Sequence, residues 1–136
     1  MDLTKVSIDT IYKIMVRPSH KEINRKIVAA KKAVSKDHIF LVNQEIIAID
    51  ALEMGYLIED LPSILLELLE NTRPKDYMGS KPPQKSYESK ILDMELFAFR
   101  IPCDHFNGQV YYKFAINENG VYLVSLHKHR EKGGAL

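Results

Sequence analysis

Apolar residues recur at three- and four-residue intervals through the first half of the chain and at alternate positions toward its end. Those two periods belong to amphipathic helices and to half-buried strands. Ile8, Ile11, Tyr12 and Met15 behind Ser7 predict a short helix over 8–16, which Arg17-Pro18 interrupts, because proline restricts its predecessor and donates no N–H. Ser19 and Glu22 form a capping-box pattern. Ile23, Ile27, Ala30 and Val34 then mark one face of a helix over 20–35, with lysines on the other. Residues 44–54 read as a helix ended by Gly55, a natural left-handed cap. A further helix over 61–71 starts behind Asp60, tolerates Pro62 in its first turn, and carries the core stripe Leu61, Ile64, Leu65, Leu68 and Leu69. Three strand-like runs follow, at 94–101, 109–116 and 121–127, rich in β-branched and aromatic residues. The predicted class is α+β, with N-terminal helices packed on a C-terminal antiparallel sheet.

Residues 72–92 between helices and strands hold three prolines, one glycine and five basic residues without periodicity. Such a length suits a functional, mobile loop. In the last hairpin, "AINENGVYL" admits a four-residue loop or a three-residue one, Glu118-Asn119-Gly120, with Gly120 in the left-handed position of a bulge. The three-residue form sets Tyr111 opposite His127 and Lys113 opposite Ser125. It puts all four on the solvent face and leaves Val110, Tyr112, Phe114, Ile116, Tyr122, Val124 and Leu126 for the core. The four-residue form splits Tyr111 from His127.

At 136 residues the chain fits one domain, and no apolar run approaches the roughly 20 residues that span a bilayer. The N-terminus lacks the pattern of a secretory signal. The single Cys103 forms no internal disulfide, and its neighbours in Pro-Cys-Asp-His carry no cysteine-protease signature. A reducing, cytoplasmic setting without membrane attachment is expected. No histidine spacing suggests a metal site, and no glycine-rich loop after a strand suggests a nucleotide cofactor, so neither is expected. The net charge of +1 hides a polar distribution: residues 17–36 sum to +6 and residues 45–70 to −7. That asymmetry suits one anion-facing surface and another that meets a basic partner.

The remaining chemistry gathers on the strands and the loop before them. Arg100, Gln109, Tyr111, Lys113, His127, Lys128, His129 and Arg130 lie on or beside the strands; Lys75, Tyr77, Lys81, Lys85 and Lys90 lie on the loop. Lysine and arginine suit phosphate contact, and tyrosine suits base stacking. The same set suits RNA cleavage without a metal, in which one group takes the 2′-hydroxyl proton and another protonates the departing 5′-oxygen. A charged, aggregation-resistant strand edge accounts for these residue types as well.

The stretch from Asn43 to Lys128, about two thirds of the chain, resembles the MqsR (motility quorum-sensing regulator) toxins and their RelE-like relatives. The resemblance is carried by "ALEMGYLIEDLPSILLELLENTRPKDY", a basic loop, and "GQVYYKFAI…VYLVSLHK". The family has a similar G-x-V-Y-x-K strand and a final V-S-F/L-x-K strand in that order. The resemblance implies a RelE-like fold over 43–128, with residues 1–36 a basic helical extension of the same single domain. It implies an mRNA-cleaving toxin neutralised by an antitoxin protein. It places the catalytic tyrosine on Tyr111, the terminal basic residue on His127, and a further strand near Glu95–Phe97. The family's lysine after an aromatic has no counterpart, since Met78 follows Tyr77; Lys75 or Lys81 stands nearest. The expected catalytic set is therefore Tyr111, His127, Lys113 and Arg100. RNA contacts are expected from Tyr77, Lys75, Lys81, Gln109, Lys128, His129 and Arg130, and from the basic helix over 20–35. The alternative is a non-catalytic RNA- or protein-binding module on the same fold.

Overall fold

Residues 19–129 are described by a computed structural model; the helix expected over 8–16 and Arg130 lie outside them. Ser19 accepts the Glu22 N–H at 3.3 Å and opens helix α1 (His20–Ser35), as its capping pattern predicts. Ile23, Ile27, Ala30 and Val34 are all buried, so α1 is built into the main core rather than appended to it. Asn43 caps helix α2 (Gln44–Met54) by accepting the Ile46 N–H, and Gly55 ends it at φ 85°. In helix α3 (Leu61–Glu70) the whole predicted stripe is buried. Each such side chain contributes roughly 1.5–3 kcal/mol when removed from water.

The sheet has four strands, where three were expected. Strands β2 (Phe97–Cys103), β3 (Gly108–Asn117) and β4 (Gly120–Lys128) are antiparallel neighbours. The short β1 (Ile39–Leu41) joins β4 in parallel, giving the order β1-β4-β3-β2. The sheet is therefore mixed, a correction to the antiparallel expectation: three residues are too few to show alternation, and their pairing partner lies far along the chain. Gly120 is required where β1 enters. Its φ of 147° is rare for other residues, and a Cβ there would run into the His38 carbonyl.

The hairpin reaches the expected register by a different route. Asn117 pairs with Gly120 across a two-residue turn in which Asn117 Oδ1 accepts the Asn119 N–H at 2.8 Å. That turn is one residue shorter than predicted. An irregularity between Lys113 and Phe114, opposite Val124, adds the missing residue, so Lys113 still meets Ser125 and Tyr111 still meets His127. Tyr122 and Val124, both expected in the core, consequently pack on the second face of the sheet instead.

The first face carries Phe97, Phe99, Ile101, Val110, Tyr112, Phe114, Leu123 and Leu126 against α1 and α3. The Tyr112 hydroxyl within it is paired, whereas that of Tyr56 at its margin has no hydrogen-bond partner among the described residues. Thr72 Oγ1 donates to the Leu68 carbonyl at 2.7 Å, leaving its oxygen to accept the Tyr112 hydroxyl at 2.6 Å. Half of the second face is covered by residues 84–96. Ile91 is buried against Val42 and Ala115, with Met94 and Leu96 packed beside them. Backbone bonds from Leu96 to Gln84, Ser86 to Met94, Asp93 to Ser86 and Met78 to Ala98 tie this segment down. The stretch expected as a free basic loop is thus core cover in its second half, and β2 starts at Phe97 rather than Met94.

Candidate active site

The uncovered half of the second face holds the residues of interest. Antiparallel register puts Arg100, Tyr111 and His127 in one row across three strands, and Ala98, Lys113 and Ser125 in the next. Directly opposed residues share a face, so the row is continuous. The Tyr111 and His127 rings stack at 5.2 Å between centroids, 24° from parallel. His129 continues the face beyond His127, held by its N–H on the Gln109 carbonyl at 2.7 Å.

Hydrogen bonds fix the protons of both histidines. His127 Nδ1 lies 2.8 Å from the Lys128 carbonyl, which can only accept. Nδ1 therefore carries the hydrogen, and in the neutral ring Nε2 is left as the basic nitrogen. Arg100 Nη1 lies 3.2 Å from His129 Nε2. A guanidinium only donates, so His129 Nε2 is the acceptor there. Partial burial pushes the Tyr111 phenol above its ordinary range. At neutral pH it is a proton donor.

The other expected residues are placed less uniformly. Tyr77 bridges to Phe99 at the β2 edge, packs edge-on to that ring at 5.8 Å, and gives its hydroxyl to the Ser80 carbonyl. It supports the row from the side and is not free to stack on a base. Burial, with Glu95 and Tyr111 nearby, holds its phenol at about 12. Lys75 and Lys81 are exposed on the segment that carries Tyr77. Lys128 alternates away from the row and lines a small cavity with Glu53, Met54 and His129. Helix α1 packs on the opposite face of the sheet, so its cations point away from the row. Neutralising Lys21, Arg25 and Lys32 together is accordingly expected to change RNA affinity less than twofold at the row. A salt-dependence measurement of RNA binding checks this, since each lost phosphate contact flattens the slope.

A cavity of about 430 Å³ lies elsewhere, between α3 and the end of β2. Glu67, Asp104 and His105 line it, with Glu67 and His105 3.9 Å apart and half exposed. Its two carboxylates make it a poor match for phosphate. Among the described residues no group of three or more His, Cys, Asp or Glu side chains is placed to hold a metal ion. No described helix is long and apolar enough to cross a membrane.

No protein-family model matches this chain, and no curated protein matches it. The chemical reading therefore rests on the row itself. Sequence reasoning found Arg100, Tyr111, Lys113 and His127 through residue type and strand period. It missed the carbonyl that sets the His127 tautomer, and it missed Ser86 and Tyr87, which come to lie beside Lys113.

The tyrosines also set a pH limit. Burial raises Tyr56 and Tyr77 to about 12 and Tyr112 further still, against about 10 in an unfolded chain. The native state thus holds these protons more tightly. Its advantage is complete below about pH 10 and is lost as pH rises through the folded values. Thermal unfolding temperature is expected to fall above about pH 10, in step with tyrosinate absorbance.

Proposed function

We propose that this protein is a metal-independent endoribonuclease, a cytoplasmic toxin of the MqsR/RelE-like kind, acting on messenger RNA. The observation that carries the proposal is the row Arg100–Tyr111–His127, with Lys113 beside it, on the face of the sheet opposite the described α-helices of the main core. His127 Nε2 takes the proton of a ribose 2′-hydroxyl, and the 2′-oxygen attacks phosphorus. The P–O5′ bond breaks as Tyr111 gives its proton to the leaving oxygen. Arg100 and Lys113 stabilise the added negative charge at phosphorus. The products are a 2′,3′-cyclic phosphate and a 5′-hydroxyl. The test is incubation of the purified protein with RNA in excess chelator. Cyclic-phosphate ends support the proposal, whereas binding without cleavage supports a non-catalytic RNA-binding module, the reading favoured by Met78 standing after Tyr77.

A neutralising protein partner belongs to this reading, and α2 offers it a surface. Helix α2 is apolar on both sides. Ile47 and Ala51 are buried, yet Ile46, Ile49 and Leu52 are exposed, Leu52 by 81%. Leu57 and Ile58 extend the stripe, and Glu45, Glu59 and Asp60 flank it. An apolar stripe among carboxylates suits a basic, amphipathic segment. The end of α2 shares a small cavity with Lys128 and His129. Ile49→Lys with Leu52→Lys is expected to change stability by less than about 0.5 kcal/mol while abolishing neutralisation by the co-expressed antitoxin. A melting curve and a growth assay check the two halves of that statement.

A further inference from the structure

Beside the row lies a cavity of about 190 Å³ between the sheet and the covering segment, lined by Gln84, Lys85, Ser86, Tyr87, Glu88, Leu96, Lys113 and Val124. We infer that it is a subsite for one nucleobase next to the scissile phosphate. The inference rests on the ribonuclease reading of the row and adds to it the place where a base of the substrate docks.

Position comes first. Lys113 belongs to both the cavity and the site, two residues along β3 from Tyr111 on the same face, roughly 7 Å away. That is within the reach of a base whose own phosphate lies on the row. Size comes second. The cavity is smaller than the roughly 300 Å³ at which drug-sized ligand pockets begin, so it suits one ring system. Its walls are built: Leu96 and Val124 supply apolar sides, and Ser86 is 3% exposed with its Oγ accepting the Glu88 N–H at 3.0 Å. Backbone bonds Leu96–Gln84 and Ser86–Met94 hold the walls on the sheet. Tyr87 stands at the rim with 88% of its surface in water, an open ring onto which a base can stack.

The lining chemistry fits the edge of a base. Lys85 and Lys113 only donate, Glu88 only accepts, and the Gln84 amide does both. Each of the four bases presents donors and acceptors that such a set can meet.

The experiment titrates the full-length protein with the 3′-monophosphates of guanosine, uridine, adenosine and cytidine, and separately with inorganic phosphate, following backbone amide resonances by NMR. Expected with the nucleotides are shifts at Ser86, Tyr87, Leu96, Lys113 and Val124, whereas phosphate alone leaves Tyr87 and Leu96 unmoved. Tyr87→Ala, a change at an exposed position, is expected to weaken nucleotide binding about tenfold or more while leaving affinity for phosphate. RNA cleavage is scored in parallel. Nucleotide binding at these residues without RNA cleavage overturns the nuclease reading and supports the subsite. RNA cleavage with no shifts at these residues, and with unchanged kinetics in Tyr87→Ala, overturns the subsite and leaves the nuclease.

Discussion

His127→Asn is expected, on the proposed ribonuclease mechanism, to lower the rate of RNA cleavage by about 10²–10⁴-fold, the range lost with a positioned general base, with little change in KM. The asparagine amide can still donate to the Lys128 carbonyl that the imidazole Nδ1 meets at 2.8 Å. It has no basic nitrogen for the 2′-hydroxyl proton, so geometry survives and the proton acceptor does not. Tyr111→Phe keeps the ring stacked on His127 at its present 5.2 Å spacing but removes the proton donor. The double variant is expected to be barely slower than His127→Asn alone, because groups acting as one unit are far from additive. Single-turnover kinetics on a short RNA, with the cyclic-phosphate product quantified, decide the matter. A His127→Asn protein that cleaves at the parental rate would remove the row from the mechanism.

Phe99→Ala is expected to cost about 3–5 kcal/mol of folding stability, the range for emptying a phenylalanine site in a core. Phe99 is fully buried and touches three rings: Tyr112 at 5.6 Å, Tyr77 at 5.8 Å and Phe114 at 5.9 Å. Two of these belong to β3 and cannot move without moving the strand that carries Tyr111. Tyr77 is held by Phe99 and by its bond to Ser80, against a glycine, Gly79, whose Cβ would meet its hydroxyl. Loss of the ring therefore loosens the site's flank as well as the core. Denaturant unfolding measures the first effect. A loss below about 1 kcal/mol would mean that the surrounding rings close the gap and that the site is less dependent on this packing.

Much of this arrangement is legible in the residues. The buried stripes of α1 and α3 follow from spacing alone, because a helix repeats its inward face every three or four positions. The pairing of Tyr111 with His127 is also legible, though through two deviations that cancel: a turn one residue shorter than expected and one extra residue at Val124. Composition favours a two-residue or a bulged turn almost equally, and only tertiary packing decides where the irregularity falls. Strand β1 is hidden because Ile39, Phe40 and Leu41 carry no periodic signal and their partner is distant. The cover formed by Ile91, Met94 and Leu96 is hidden for the same reason, among prolines and lysines that read as a loop. The tautomer of His127 depends on a carbonyl position, which no residue pattern encodes.

The three-residue length of β1 has a consequence for how molecules of this protein meet one another. Every open sheet has two borders, and a long, flat border is a template on which a second chain can polymerise. Here one border is β1, which offers only Ile39–Leu41. The other is β2, already occupied at its middle by the Tyr77–Phe99 bridge and the Met78–Ala98 bond, and interrupted by Pro102. Neither border leaves a run of backbone donors and acceptors long enough to seed a fibril. The sheet is in this way kept from recruiting copies of itself.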